Sequence, residues 1–189
     1  DKADYVFLPF YFEEKALNKN SRRHYCYYTQ FTPSILSCLK QIDENKIVKP
    51  VIRYLYTSFH AKIQLYRHLN KVSDRFSFFS ISSAYDQALE SKKQQIEEYK
   101  SIFKNGFYKN ENLGVLFLGR PYTVLNRQMN NNIPGLFENL GVQTYFQDML
   151  EIDDHDSTAI DPLLKEIHWN YPAKIIKAAF TAANTENLY

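Results

Sequence analysis

The densest group of chemically capable residues is Gly119-Arg-Pro-Tyr122, followed by Asn126 and by Asn130-Asn-Asn-Ile-Pro134. Glycine allows a sharp turn close to a ligand. Arg120 offers a planar, permanently charged fork that matches phosphate or carboxylate. A helix begun at Ile133-Pro134 would present unpaired N–H groups that favour an anion. Gly119, Arg120, Tyr122, Asn126 and Asn130 are therefore candidate ligand-binding residues. The plainer alternative is that Arg120 makes a structural ion pair and the asparagines build turns. The segment is neither Gly-x-x-x-x-Gly-Lys-Ser/Thr nor Gly-x-Gly-x-x-Gly, so it is not a generic nucleotide loop.

Cys26, in Tyr25-Cys-Tyr-Tyr28, is the second candidate. A thiol beyond the end of a strand suits a metal or cluster, but one thiol cannot hold an iron–sulfur cluster, and a solitary cysteine also serves as an ordinary small apolar residue. Cys38 falls on a predicted amphipathic helix and reads as core. Asp153-Asp-His-Asp156 reads as a solvated acidic loop, because consecutive residues converge poorly on one ion. No Ser/His/Asp or Cys/His set can be defended from spacing.

These residues need elements to hold them. Val115–Leu118 is a short apolar run ended by Gly119 and Pro121, hence a buried strand. Ile133–Leu140 is a helix begun by Pro134 and stopped at Gly141, and residues 142–146 form the next strand. Strand–loop–helix–strand is the unit of an open parallel sheet, whose ligands bind at the carboxyl ends of strands. Upstream, Tyr5–Leu8 is a strand closed by Pro9. Glu13–Arg23 is polar and charged and reads as a loop or short helix, and a helix capped by Thr32, with Pro33 at its first position, runs to about Ile42. Val51–Tyr56 is a second strand. Ser58–Leu69 and Ile81–Phe103 are amphipathic helices, the latter stopped by Asn105-Gly106. Helices at 159–167 and 173–183 complete the chain. The fold class is α/β, with Rossmann-like three-layer portions of parallel strands: residues 1–56 a partial first portion, 57–106 a helical connector, 107–189 a second portion.

With 189 residues, the chain can bury one medium domain or two small lobes. A formal charge of +2 argues against nucleic acid or a membrane surface as the main partner. Two cysteines give no secreted disulfide framework. No apolar run nears the ~20 residues needed to span a bilayer. These features predict a cytoplasmic protein. The chain starts at Asp1 and ends at Thr185-Glu-Asn-Leu-Tyr189, as a piece of a longer polypeptide would. Glu186–Tyr189 also matches the start of the engineered protease site Glu-Asn-Leu-Tyr-Phe-Gln, so it reads either as native or as a remnant of that site.

Leu118-Gly-Arg-Pro-Tyr122, then Asn130-Asn-Asn-Ile-Pro134 and Gly141, resembles the signature of the uncharacterised domain of acyl-CoA dehydratase activase-related proteins. These are also called CoA-substrate-specific enzyme activases and are relatives of the 2-hydroxyacyl-CoA dehydratase subunits. Asp4-Tyr-Val-Phe-Leu-Pro9 and Cys26-Tyr-Tyr-Thr-Gln30 resemble an earlier block of the same domain. The resemblance implies a large, usually anaerobic bacterial parent carrying an activase-type ATPase module and iron–sulfur clusters, and delivering low-potential electrons for acyl-CoA chemistry. It implies that Cys26 is a candidate cluster ligand, that this stretch does not hold a complete cluster, and that a dehydratase or reductase is a partner. The domain is then either a non-catalytic accessory part with a pocket around Arg120, or a docking module that joins the activase and dehydratase parts.

Overall fold

In a computed structural model of the chain, residues 3–14, 24–39, 43–53, 57–110, 113–152 and 158–189 are described. The chain is mixed α/β with parallel strand pairs, and it divides into two compact units, Asp1–Glu90 and Ser91–Tyr189.

Unit 1 is built on a parallel ribbon. Strand β1 (Val6–Phe7) pairs with β3 (Ile47–Val48), and β2 (Phe10–Tyr11) pairs with β4 (Val51–Ile52). The register is common to both halves, so Pro9 lies opposite Pro50. The ladder runs through this point, with Leu8 N–H donating to Val48 O at 2.9 Å and Phe10 N–H to Pro50 O at 2.9 Å. The bond that Pro50 would return is absent, because proline has no N–H. The strand expected to close at Pro9 therefore continues beyond it. Residues 54–56, the end of the expected second strand, lie outside the described residues.

Helix α1 (Tyr27–Ser37) packs on β2. It begins five residues before the expected Thr32 cap. Cys26 is the N-cap, Thr32 Oγ1 donates back to Tyr28 O at 2.5 Å, and Pro33 is buried inside the helix. Ring contacts favour the early start: Tyr11 stacks on Tyr25 (5.1 Å) and Phe12 meets Phe31 edge-on (5.9 Å). Cys38 is the C-cap of α1 and is exposed, not core, because the helix ends before its buried face could include it. Helix α2 (Ser58–Leu69) has the expected bounds. It meets the start of α3 (Phe78–Asn110) through Phe59 and Tyr66 against Phe78, at 5.8 and 5.9 Å.

Helix α3 does not stop at Asn105-Gly106. Gly106 has its face against the Tyr145 hydroxyl, and the next turn carries Phe107 into the core. This glycine provides space, not termination. In unit 2, strand β5 (Gly114–Phe117) pairs in parallel with β6 (Gln143–Phe146). On its other side β5 bonds the terminal segment: Gly114 N–H donates to Asn187 O (2.9 Å), Leu116 N–H to Tyr189 O (2.7 Å), and Tyr189 N–H to Gly114 O (3.0 Å). Strand β5 is thus central, with β6 on one flank and Leu188 on the other. The pleat divides the side chains. Leu116 and Tyr145 join Phe103, Phe107, Ala178, Ala182 and Leu188 in one core, contributed by α3, by α7 (Asn170–Ala183, after the short helix α6, Asp161–Glu166) and by the terminal segment. Phe117 and Phe146 face the other way, where Phe117 meets Phe137 of helix α5 (Ile133–Asn139) at 5.9 Å. This is a three-layer arrangement, α5 on one face and α3 with α7 on the other. Leu188 is 5% exposed, so the Asn187–Tyr189 segment is integral to this sheet.

Candidate functional site

The loop Leu118–Asn132 leaves the carboxyl end of β5. Gly119 opens it because the chain passes so close to Val124 that a Cβ would lie 2.7 Å from its Cγ1. The Gly119 N–H donates to Gln147 Oε1 at 3.2 Å, tying the carboxyl end of β5 to that of β6. Arg120 is the N-cap of the short helix α4 (Pro121–Val124), and its carbonyl accepts from Thr123 and Val124 at 2.8 and 3.0 Å. Tyr122 is 60% exposed on that turn.

The two asparagines are used inside the loop. Asn126 Oδ1 accepts from Gln128 N–H (2.9 Å) and Met129 N–H (3.2 Å). Asn130 Nδ2 donates to Val124 O (2.7 Å), and its Oδ1 accepts from Asn132 N–H (2.9 Å). Asn131 and Asn132 take φ of 51° and 55°, the left-handed region asparagine tolerates best after glycine. Asn132 is the N-cap of α5. Tyr122 stands exposed beside an exposed apolar series of Leu125, Met129, Ile133, Leu136 and Leu140.

The position of the loop follows from strand order. From β5 the chain passes through α5 to β6 on one flank, then returns through α7 to pair on the other flank. The order reverses at β5. In open parallel sheets the crevice beyond the strand carboxyl ends at such a reversal is where ligands bind.

Cys26 lies at the carboxyl end of the unit 1 ribbon. Its Sγ is 3.4 Å from Thr29 Oγ1. Among the described residues, no group of three or more His, Cys, Asp or Glu gathers to hold a metal ion. These residues alone do not fit an iron–sulfur cluster. The acidic stretch 153–156 lies outside the described residues.

Two polar residues here gave no signal in the sequence. Glu13, expected in a polar loop or short helix, is 1% exposed; neither carboxylate oxygen has a hydrogen-bond partner among the described residues, and His24 Nδ1 stands 4.0 Å away. Gln147 is 3% exposed, and its Nε2 has no partner among the described residues. Periodicity hides both, because nothing local marks a Glu or Gln that enters an interior. Burial also pushes the Tyr145 phenol above its ordinary value, while its hydroxyl donates to Gln143 Oε1.

A mixed α/β chain with a reversed parallel sheet, and a Gly-Arg-Pro-Tyr loop at the reversal, defines the class. The chain belongs to the family described as the CoA enzyme activase uncharacterised domain, whose model matches residues 1–150. No curated protein and no solved structure matches it. No described helix is long and apolar enough to cross a membrane.

Proposed function

We propose that this domain is a non-catalytic accessory part of an ATP-dependent, iron–sulfur activase system that delivers low-potential electrons for acyl-CoA chemistry in the cytoplasm. Its own contribution is a ligand pocket with the Gly119–Asn132 loop as one wall. The observation that carries this reading is the reversal of strand order at β5, directly below that loop. Arg120 would meet a phosphate or carboxylate, and Tyr122 would cover an adjacent flat or apolar part. Cys26 would contribute one ligand to a cluster completed elsewhere in the parent protein. ATP hydrolysis belongs to a separate activase module, since no phosphate loop is present. Membership of the CoA enzyme activase family supports the general role.

A second reading is a docking module without a ligand of its own. It is favoured by the exposed series Tyr122, Leu125, Met129, Ile133, Leu136 and Leu140, and by asparagines already spent on turns. Titration of the 15N-labelled protein with CoA separates the two. Saturable shifts confined to residues 119–132 support the pocket. Silence there, with the same amides protected when the activase and dehydratase parts are added, supports docking.

A further inference from the structure

Unit 1 contains a second hollow, away from the loop. It is half open to solvent and offers about 360 Å³ between the ribbon and the end of α2, lined by Tyr5, Phe10, Val48, Lys49, His68 and Lys71 among others. That volume lies within the range of small-molecule sites, which pair apolar walls with a few convergent polar groups. The walls here are an aromatic pair, Tyr5 and Phe10, with the aliphatic Ile47, Val48 and Val72. The charged groups among the lining residues are both cationic, Lys49 and Lys71.

Lys49 is the best placed of them. Its ammonium is held by Ser37 Oγ at 3.2 Å and Glu44 Oε1 at 2.6 Å, and its side chain is 24% exposed. Glu44 is the acidic residue in contact with this group, and its side chain is 67% exposed. Ion pairs of that kind contribute little, so an incoming anion can compete for Lys49. His68 donates from Nδ1 to Gln64 O at 2.8 Å, which fixes the ring and leaves Nε2 of the neutral ring an acceptor, so the imidazole serves this site as a flat wall and not as an anion donor. Lys71 follows the C-terminal end of α2 and is exposed.

We propose that this hollow binds an organic phosphate: a dianionic group taken by Lys49 and Lys71, carried on a ring-sized apolar body that lies against Tyr5, Phe10 and Val48. Two ammonium groups suit a dianion, and walls of this composition give no reason for a bare ion to stay. The site is independent of the Gly119–Asn132 loop.

The test is a titration of the 15N-labelled protein with phenyl phosphate, with inorganic phosphate as the control. The expected result is saturable shifts at Val48, Lys49 and Val72 with no change in residues 119–132, and binding at least tenfold tighter than inorganic phosphate. Lys71→Glu should weaken phenyl phosphate at least tenfold. It leaves the Lys49–Ser37–Glu44 contacts untouched, so loss of fold is not the cause. Lys49→Met should weaken it likewise, with the 15N spectrum checking that the ribbon is intact. No saturable shift, equal affinity for inorganic phosphate, or a Lys71→Glu protein that binds as the wild type overturns the proposal.

Discussion

The Tyr145 hydroxyl occupies the space beside Gly106: a Cβ added to Gly106 would lie 3.0 Å from it and 3.4 Å from Gln143 Oε1. A mid-helix glycine normally costs about 1 kcal/mol relative to alanine. Here that cost is tied to a cross-element contact. Gly106→Ala should gain clearly less than about 1 kcal/mol in the wild type, because the hydroxyl must shift. In a Tyr145→Phe background it should recover most of that gain. Urea denaturation of the four proteins measures the coupling, and strict additivity would disprove it.

Tyr145 also gives unit 2 an alkaline limit. Burial raises its phenol above the ordinary value of 10.0. The folded state then holds the proton at a pH where the unfolded chain has released it. Stability is full below pH 10 and falls as pH rises towards the folded-state value. Tyr145→Phe should lose about 1 kcal/mol at neutral pH with the hydroxyl bond to Gln143. It should also show a shallower fall between pH 9 and 11 in thermal melts.

Leu188 should behave as a core residue despite lying beside the terminal Tyr189. It is buried among Phe103, Phe107, Tyr145 and Ala182. Leu188→Ala should cost about 2–5 kcal/mol, read by urea denaturation. A loss of only a few tenths of a kcal/mol would show the segment to be merely appended.

Glu13 makes the opposite prediction. A buried carboxylate without a hydrogen-bond partner among the described residues is a liability. Glu13→Leu should leave unit 1 as stable or raise its stability by about 1–3 kcal/mol. A marked loss would mean that the carboxylate is bonded in solution.

The loop residues should separate by role. Arg120→Ala should weaken CoA at least tenfold, as expected for a charge-assisted bond of about 1.5–3 kcal/mol. Asn126→Ala should instead cost about 1 kcal/mol of stability by freeing the N–H groups of Gln128 and Met129. Calorimetry with CoA and thermal melts on both variants check the split.

Local chemistry made much of this fold legible. The apolar run 115–118, Pro134 and Gly141 mark β5, α5 and β6 almost to the residue, because each signal acts within a few positions. The family signature likewise pointed to the right domain. Proline and glycine misled where distant contacts decided their meaning. Pro33 lies inside α1 because Phe31 packs on Phe12, and Gly106 lies inside α3 because Tyr145 needs its space. The roles of Asn126 and Asn130 were open in the sequence, since an asparagine that closes a turn and one that meets a ligand look alike. Glu13 and Gln147 were invisible for the same reason: burial belongs to the tertiary structure.

The pairing of Leu188 with Gly114 sets the timing of assembly during synthesis. The two residues are 74 positions apart, so the contact is far from local. The centre of the unit 2 sheet keeps an open edge, and its aromatic core an open side, until the ribosome has released Leu188. A nascent chain stalled before that point would expose Leu116 and Phe107 to chaperones or to other copies of itself.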